Sequence, residues 1–125
     1  MNPILRGMIC NEASLTDDSA DPRLRPITLP LDLAAAIDFA ARRIDATPRW
    51  RVESIDRSAP IAKLHATRRT LVWRFVDDVR LTFEPDPQSR GTRVKATSRS
   101  RVGKGDLGQN PRNLRELVAA LRLES

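Results

Sequence analysis

The sequence predicts an α+β fold, an antiparallel sheet of four or five strands with two helices packed on one face, in the order β-α-β-β-β-β-α. Two segments carry apolar residues at helical spacing, and the stretch between them alternates apolar with polar residues. Two amphipathic helices each need an apolar surface to cover, and a meander of strands supplies one. The chain of 125 residues suits one domain, which we place at residues 22–125.

Residues 1–21 are predicted to be a flexible acidic tail. They contain four acids and one base, and from residue 11 onward they are polar and aperiodic. Three prolines then punctuate an extended lead-in, in which residues 27–29 are predicted to form a short edge strand.

The first helix is predicted over residues 31–45. Asp32 lies in its first turn and Arg42 and Arg43 near its end, which suits the helix dipole, and Pro48 stops it. Its apolar stripe consists of Leu33, Ala36, Ile37, Ala40, Ala41 and Ile44.

Alternation then predicts strands, and the polar side of the last of them is rich in charge. The predicted strands are residues 50–57, 61–67, 79–84 and 93–102, and residues 71–76 are predicted to be extended and apolar on both faces. We expect the sheet face away from the helices to carry Arg80, Glu84, Arg93, Lys95, Arg99 and Arg101.

A glycine-rich loop at 103–109 leads into the second helix. Asn110 is expected to cap this helix and Pro111 to occupy its first position. The apolar face of the helix is Leu114, Leu117, Val118 and Leu121.

Composition limits the chemistry that the chain can perform. Cys10 is the single cysteine, so no internal disulfide and no cysteine-based metal site can form. No apolar run approaches the ~20 residues of a membrane span. The hydrophobic stretch before Cys10 is too short for a secretion signal, so we expect a cytoplasmic location.

The net charge of +6 is concentrated in residues 90–115, which hold eight bases and one acid. Such a density attracts anions, whether phosphates, nucleic acid, anionic lipid or an acidic protein. The alternative is an arginine-rich solvated surface, which we favour because net charge bears on solubility before it bears on function.

Two segments resemble a known family. The step Phe75-Val76-Asp77-Asp78-Val79, the pattern Ser-Arg-x-Gly-x-x-Asp-x-Gly-x-Asn that ends at Asn110, and the terminal helix after it are similar to the family called domain of unknown function 1499. The resemblance runs roughly from residue 26 to residue 122. It implies bacterial and plastid occurrence, supports the fold outline and implies no activity.

Asp77 and Asp78 are the first candidate site. Paired acids could hold a metal or act as acid and base, but neighbours in an extended segment point to opposite faces. We therefore favour a turn aspartate and an ion-pair partner for Arg99 or Arg101.

The glycine-rich loop is the second candidate, because glycines, bases and a helix N-terminus together could cradle a phosphate. The P-loop spacing is missing, however, and Asp106 would repel an anion. We favour a tight structural loop in which Asp106 accepts hydrogen bonds from loop amides or pairs with Arg101.

His65, the single histidine, has no second histidine or serine motif with which to form a zinc site or a triad. Trp50 and Trp73 are expected in the core rather than on a stacking surface.

We therefore expect a non-enzymatic binding or accessory module without cofactor or metal. Its basic sheet face and glycine-rich loop would contact an acidic protein partner; the alternative is a binder of nucleic acid or a phosphorylated ligand. The candidate binding residues are Asp77, Asp78, Arg93, Lys95, Arg99, Arg101, Lys104 and Asp106.

Overall fold

The computed structural model describes residues 12–69, 76–101 and 109–122. Within them, six antiparallel strands form one sheet, and two α-helices and a short 3-10 helix accompany it. The strands are β1 (Glu12–Ser14), β2 (Ile27–Leu29), β3 (Trp50–Asp56), β4 (Ala62–Arg69), β5 (Val76–Pro85) and β6 (Thr92–Ser100). The helices are α1 (Leu33–Asp45), α2 (Gln109–Leu121) and the 3-10 helix Pro22–Leu24.

The sheet order is β1-β6-β5-β4-β3, and β2 pairs with β6 on the same edge as β1. The predicted α+β class and order are confirmed, except that two strands rather than one precede α1 and the sheet has six strands. Most of the extended segment predicted at 71–76 lies outside the described residues.

Helix α1 forms where the apolar stripe predicts it. The carboxylate of Asp32 accepts a hydrogen bond from the Ala35 amide at 2.8 Å, which caps the first turn. The stripe residues Ala36, Ile37, Ala40 and Ile44 are all buried.

Both helices cover the same face of the sheet, as predicted. Alternate residues of β4, β5 and β6 point toward them and are buried, and we call this side the covered face. The apolar core consists mainly of Ile37, Ile44, Leu64, Leu81, Phe83, Val94, Leu114, Leu117 and Leu121. No helix in the described parts of the chain is long and apolar enough to cross a bilayer.

The prediction of a flexible tail is wrong for residues 12–21. Strand β1 pairs with β6, and the Leu15 side chain is 6% exposed within the core. Asp21 caps the 3-10 helix and bonds to Arg115 of α2 at 3.0 Å. The buried Leu15 side chain and the pairing of β1 with β6 therefore hold residues 12–21 against the sheet, although their polar sequence has no periodicity. Residues 1–11 lie outside the described residues.

The prediction that Asn110 caps the second helix is also wrong. Helix α2 begins at Gln109, and the Asn110 side chain is buried against β6 instead of bonding to its own helix. Pro111 is tolerated in the first turn because the amides there have no partner within the helix.

Candidate functional site

The neighbouring residues Asp77 and Asp78 of β5 point to opposite faces of the sheet. Asp77 is 2% exposed on the covered face, and Asp78 lies on the other side, which we call the open face. The divergence follows from the two-residue repeat of a strand, as predicted. The two carboxylates therefore cannot share one metal ion.

On the covered face, Asp77 belongs to a buried polar network that joins β5 and β6 to α2. It accepts a hydrogen bond from Nδ2 of Asn113 at 2.7 Å, and the same amide nitrogen donates to Oγ of Ser98 at 3.1 Å. The Ser98 hydroxyl donates to Oδ1 of Asn110 at 2.7 Å, and Nδ2 of Asn110 donates to Ser100 at 3.2 Å. Every buried side-chain polar atom among the described residues has a partner. This network thus fixes the start of α2.

A second polar contact, also on the covered face, joins α2 to strands β3 and β4. The carboxylate of Glu116 accepts hydrogen bonds from Nε1 of Trp50 and from Nε and Nη2 of Arg68, at 3.3 and 3.4 Å for the arginine. The Arg68 side chain is only 10% exposed, so Glu116 compensates a nearly buried charge.

On the open face, Asp78 is the centre of an ionic cluster. It accepts two hydrogen bonds from Arg101, both at 3.0 Å, and its Oδ1 lies 2.7 Å from Nε2 of His65. The bonds from Arg101, and then the one from His65, hold the pKa of Asp78 below its ordinary value, although partial burial opposes them. The same pairing raises the pKa of Arg101.

A second carboxylate lies on the open face beside this cluster. Oε2 of Glu53 accepts a hydrogen bond from the Thr67 hydroxyl at 2.7 Å, which lowers the pKa of Glu53, with a smaller contribution from the charge of Arg51. Thr67 is 2% exposed because longer side chains surround it: Arg51 and Asp78 are its cross-strand partners.

Some bases of the open face are paired with acids. Arg93 bonds to Asp17, and Nζ of Lys95 lies 2.9 Å from Glu84. Other bases there are exposed and have no ion pair with any described residue. These are Lys63, Arg69, Arg80 and Arg99.

The predicted site residues therefore separate into three groups. Asp77 belongs to the covered face, and Lys104 and Asp106 lie outside the described residues. The others share the open face: Asp78, Arg93, Lys95, Arg99 and Arg101. Arg80 and Glu84 lie on this face too, as expected from the alternation.

Sequence reasoning predicted an aspartate paired with Arg99 or Arg101, and Asp78 pairs with Arg101, but it missed the partners of Asp77 and the contact between Asp78 and His65. It treated His65 as an ordinary residue, and it did not find Asn113 or Ser98. The alternation around His65 placed it on a strand. The sequence could not predict the register between β4 and β5, which places His65 near Asp78. Asn113 carried a clearer signal, since it is polar and lies next to Leu114 on the apolar side of α2.

The charged side chains of the cluster bind one another through ion pairs. In the described ranges, no hydroxyl or thiol is hydrogen-bonded to His65. No group of three or more metal-ligating side chains converges within those ranges either.

Comparison with known proteins gives one family match. The model of the family described as "Protein of unknown function (DUF1499)" matches residues 8–121. No curated protein matches. Among solved structures, the chain is similar to the protein TTHA0849 from Thermus thermophilus, with 16% sequence identity and a TM-score of 0.33. That match covers 88% of this chain and 90% of the other.

Proposed function

Because this chain belongs to the DUF1499 family of proteins of unknown function, we propose a function from its own geometry: a non-enzymatic binding or accessory module that contacts an acidic protein surface. The contact would be made by the open face. The observation that carries the proposal is that no described helix covers this face, while the exposed bases Arg80 and Arg99 have no ion pair with a described residue.

The position of these two bases supports binding rather than internal stabilisation. Arg80 and Arg99 lie on adjacent strands as diagonal neighbours, because Arg80 pairs with Thr97 and Arg99 follows Thr97 by two residues. Two guanidinium groups so placed offer many donors to carboxylates of a partner. The charges are therefore complementary to an acidic surface.

An acidic protein fits this face better than nucleic acid does. Acids are interspersed among the bases, with Glu53, Asp78 and Glu84 on the same face, and they would repel a continuous polyanion. The described aromatic residues Trp50 and Phe83 belong to the core, and Phe39 lies on α1 and packs against the core, so none of them offers a stacking surface for bases on this side.

The glycine-rich loop is included in the proposal on sequence grounds. Residues 102–108 connect Arg101, which directly follows β6, to Gln109 at the start of α2, and Arg101 is part of the ionic cluster on the open face. A partner that contacts Arg99 and Arg101 would therefore lie next to the loop along the chain.

The test compares capture of partners from a cell lysate by the wild type, Arg80→Glu/Arg99→Glu and the control Arg42→Glu/Arg122→Glu, at low and moderate salt. Arg42 lies on α1 and Arg122 follows α2, so the control changes the net charge equally and leaves the open face intact. A captured protein is then purified and its affinity measured for each variant.

We expect a purified partner with an acidic surface to bind the wild type and the control, and to bind Arg80→Glu/Arg99→Glu at least tenfold more weakly. Equal binding by all three forms would contradict the assigned face. Nucleic acid alone, released by moderate salt from every form, would mean that the bases form a solvated surface and that the function lies elsewhere.

A further inference from the structure

A groove of about 360 Å³ lies between β2 and the C-terminal half of α2, away from the open-face cluster. The segment that begins at Pro22 closes one side of it. This volume falls within the range of small-molecule sites, about 300–1,000 Å³. The groove plays no part in the function proposed above.

The wall of the groove is apolar and firmly held. Ile27 and Leu29 line it from β2, and Val118 and Leu121 line it from α2. Leu29, Val118 and Leu121 are at most 5% exposed and belong to the hydrophobic core, so they form a fixed base for the groove. The more accessible apolar lining consists of Ile27, Pro22, Pro26 and Pro30, and an aliphatic chain would contact these residues.

The edge of β2 suits a small ligand rather than an added peptide strand. Pro26 and Pro30 bound the three-residue strand, and proline has no amide hydrogen to donate to a neighbouring strand. The backbone at Gly91 packs closely against this strand, so that a Cβ at that position would clash with the Leu29 carbonyl oxygen.

The charged residues among the described lining of the groove are all positive. Arg25 and Arg122 are exposed and contribute to this lining, and none of the other described lining residues is an acid. Nε of Arg25 donates to the Ser19 carbonyl at 2.9 Å, which leaves its terminal amino groups available. The nearby carboxylate of Asp21 is already bound by Arg23 and Arg115.

We propose that this groove binds a small amphipathic anion, in which an aliphatic chain packs on the apolar wall and an anionic head pairs with Arg25 and Arg122. A fatty acid and an alkyl phosphate share this chemistry. A neutral molecule of the same shape would provide no counterion for the two guanidinium groups and should therefore bind more weakly.

The proposal is tested by titrating ¹⁵N-labelled protein with octanoate, octyl phosphate, hexanoate and octanol, each below its aggregation limit. We expect amide shifts centred on β2 and residues 118–122, and octanol binding at least tenfold weaker than the better anion. Since a buried methylene contributes about 0.8 kcal/mol, octanoate should bind roughly tenfold tighter than hexanoate. Tighter binding of octanoate would indicate a fatty-acid head, and tighter binding of octyl phosphate a phosphate head.

Two variants locate the site. Arg25→Gln/Arg122→Gln should weaken anion binding at least tenfold, whereas the matched control Arg42→Gln/Arg80→Gln should leave it unchanged. Val118→Trp should fill the groove and abolish binding, provided that its melting curve shows a folded protein. Because the control changes Arg80, it also separates this site from the open face.

Three results would overturn the proposal. They are equal affinity for octanol and octanoate, an affinity that does not depend on chain length, and amide shifts that lie away from the groove. Loss of partner binding in the open-face variants has no bearing on any of them.

Discussion

The two faces of the sheet use polar side chains in different ways, and Asp77 and Asp78 show the contrast within one peptide unit. Asp77 is buried on the covered face, where it accepts a hydrogen bond from the neutral amide of Asn113 on α2. Asp78 is held by the charged Arg101 and by His65 where solvent reaches all three side chains. Position on the strand, rather than residue type, decides which role an aspartate has.

The difference has an energetic consequence. A polar group on the covered face cannot be solvated if it loses its partner, so removing that partner costs the full desolvation of the group. On the open face, water and salt replace a lost partner at small cost. Mutations of similar chemistry on the two faces should therefore differ several-fold in their effect on the free energy of unfolding.

The largest effect is expected for Asn113→Ala. This change removes the donor to Asp77 and Ser98 and leaves a carboxylate buried without that hydrogen bond, which should lower the free energy of unfolding by about 3 kcal/mol. Urea denaturation at neutral pH measures it. A loss below about 1 kcal/mol would mean that the network contributes little to stability.

Glu116→Ala should have the next largest effect, about 2 kcal/mol, because it leaves the nearly buried Arg68 and Nε1 of Trp50 without their acceptor. Glu116→Gln keeps an acceptor oxygen for Trp50, and it should recover part of the loss. If the glutamine and alanine variants are equally destabilised in urea, the hydrogen bond to Trp50 contributes nothing.

Asp78→Asn should cost about 1 kcal/mol at neutral pH, since its ion pairs are partly exposed. The lowered pKa of Asp78 means that its pairing stabilises the fold above pH ~4, the ordinary carboxylate range, and that this stability is lost as pH falls through the lowered pKa. Thermal unfolding at pH 7, 5 and 3 measures this dependence.

The melting temperatures of wild type and Asp78→Asn should therefore differ most at pH 7, and the difference should be smaller at pH 3, below the ordinary carboxylate range. The matched control is Asp18→Asn, an exposed aspartate outside the sheet. A difference that stays constant from pH 7 to pH 3 would contradict the ionic role of Asp78.

This contrast also shows what the sequence could predict. Periodicity located α1, the core side of β5 and β6, and the divergence of Asp77 from Asp78, because each depends only on local geometry. It did not locate β1 or pair His65 with Asp78, because both depend on the register between strands that are distant in sequence.

Asn110 illustrates a second limit of the sequence. Its residue type suits a helix cap, and the following proline strengthened that interpretation. In the fold, the side chain is buried and satisfies Ser98 and Ser100, so tertiary packing overrides the local preference. The family pattern that includes Asn110 and Asp77 thus has a structural explanation in the buried network.

The smallest effect on stability is expected for Arg80→Gln/Arg99→Gln, whose side chains are exposed and have no ion pair with a described residue. The free energy of unfolding should change by no more than about 0.5 kcal/mol in urea, as for other surface substitutions. The same variant should bind an acidic partner at least tenfold more weakly than wild type, because both guanidinium groups are lost. A change above about 1 kcal/mol in the free energy of unfolding would show that these bases stabilise the fold. It would contradict the proposal that the open face is a binding surface. If the free energy of unfolding is unchanged and binding is weaker, the charges of the open face serve to bind a partner, whereas the polar groups of the covered face hold α2 in place.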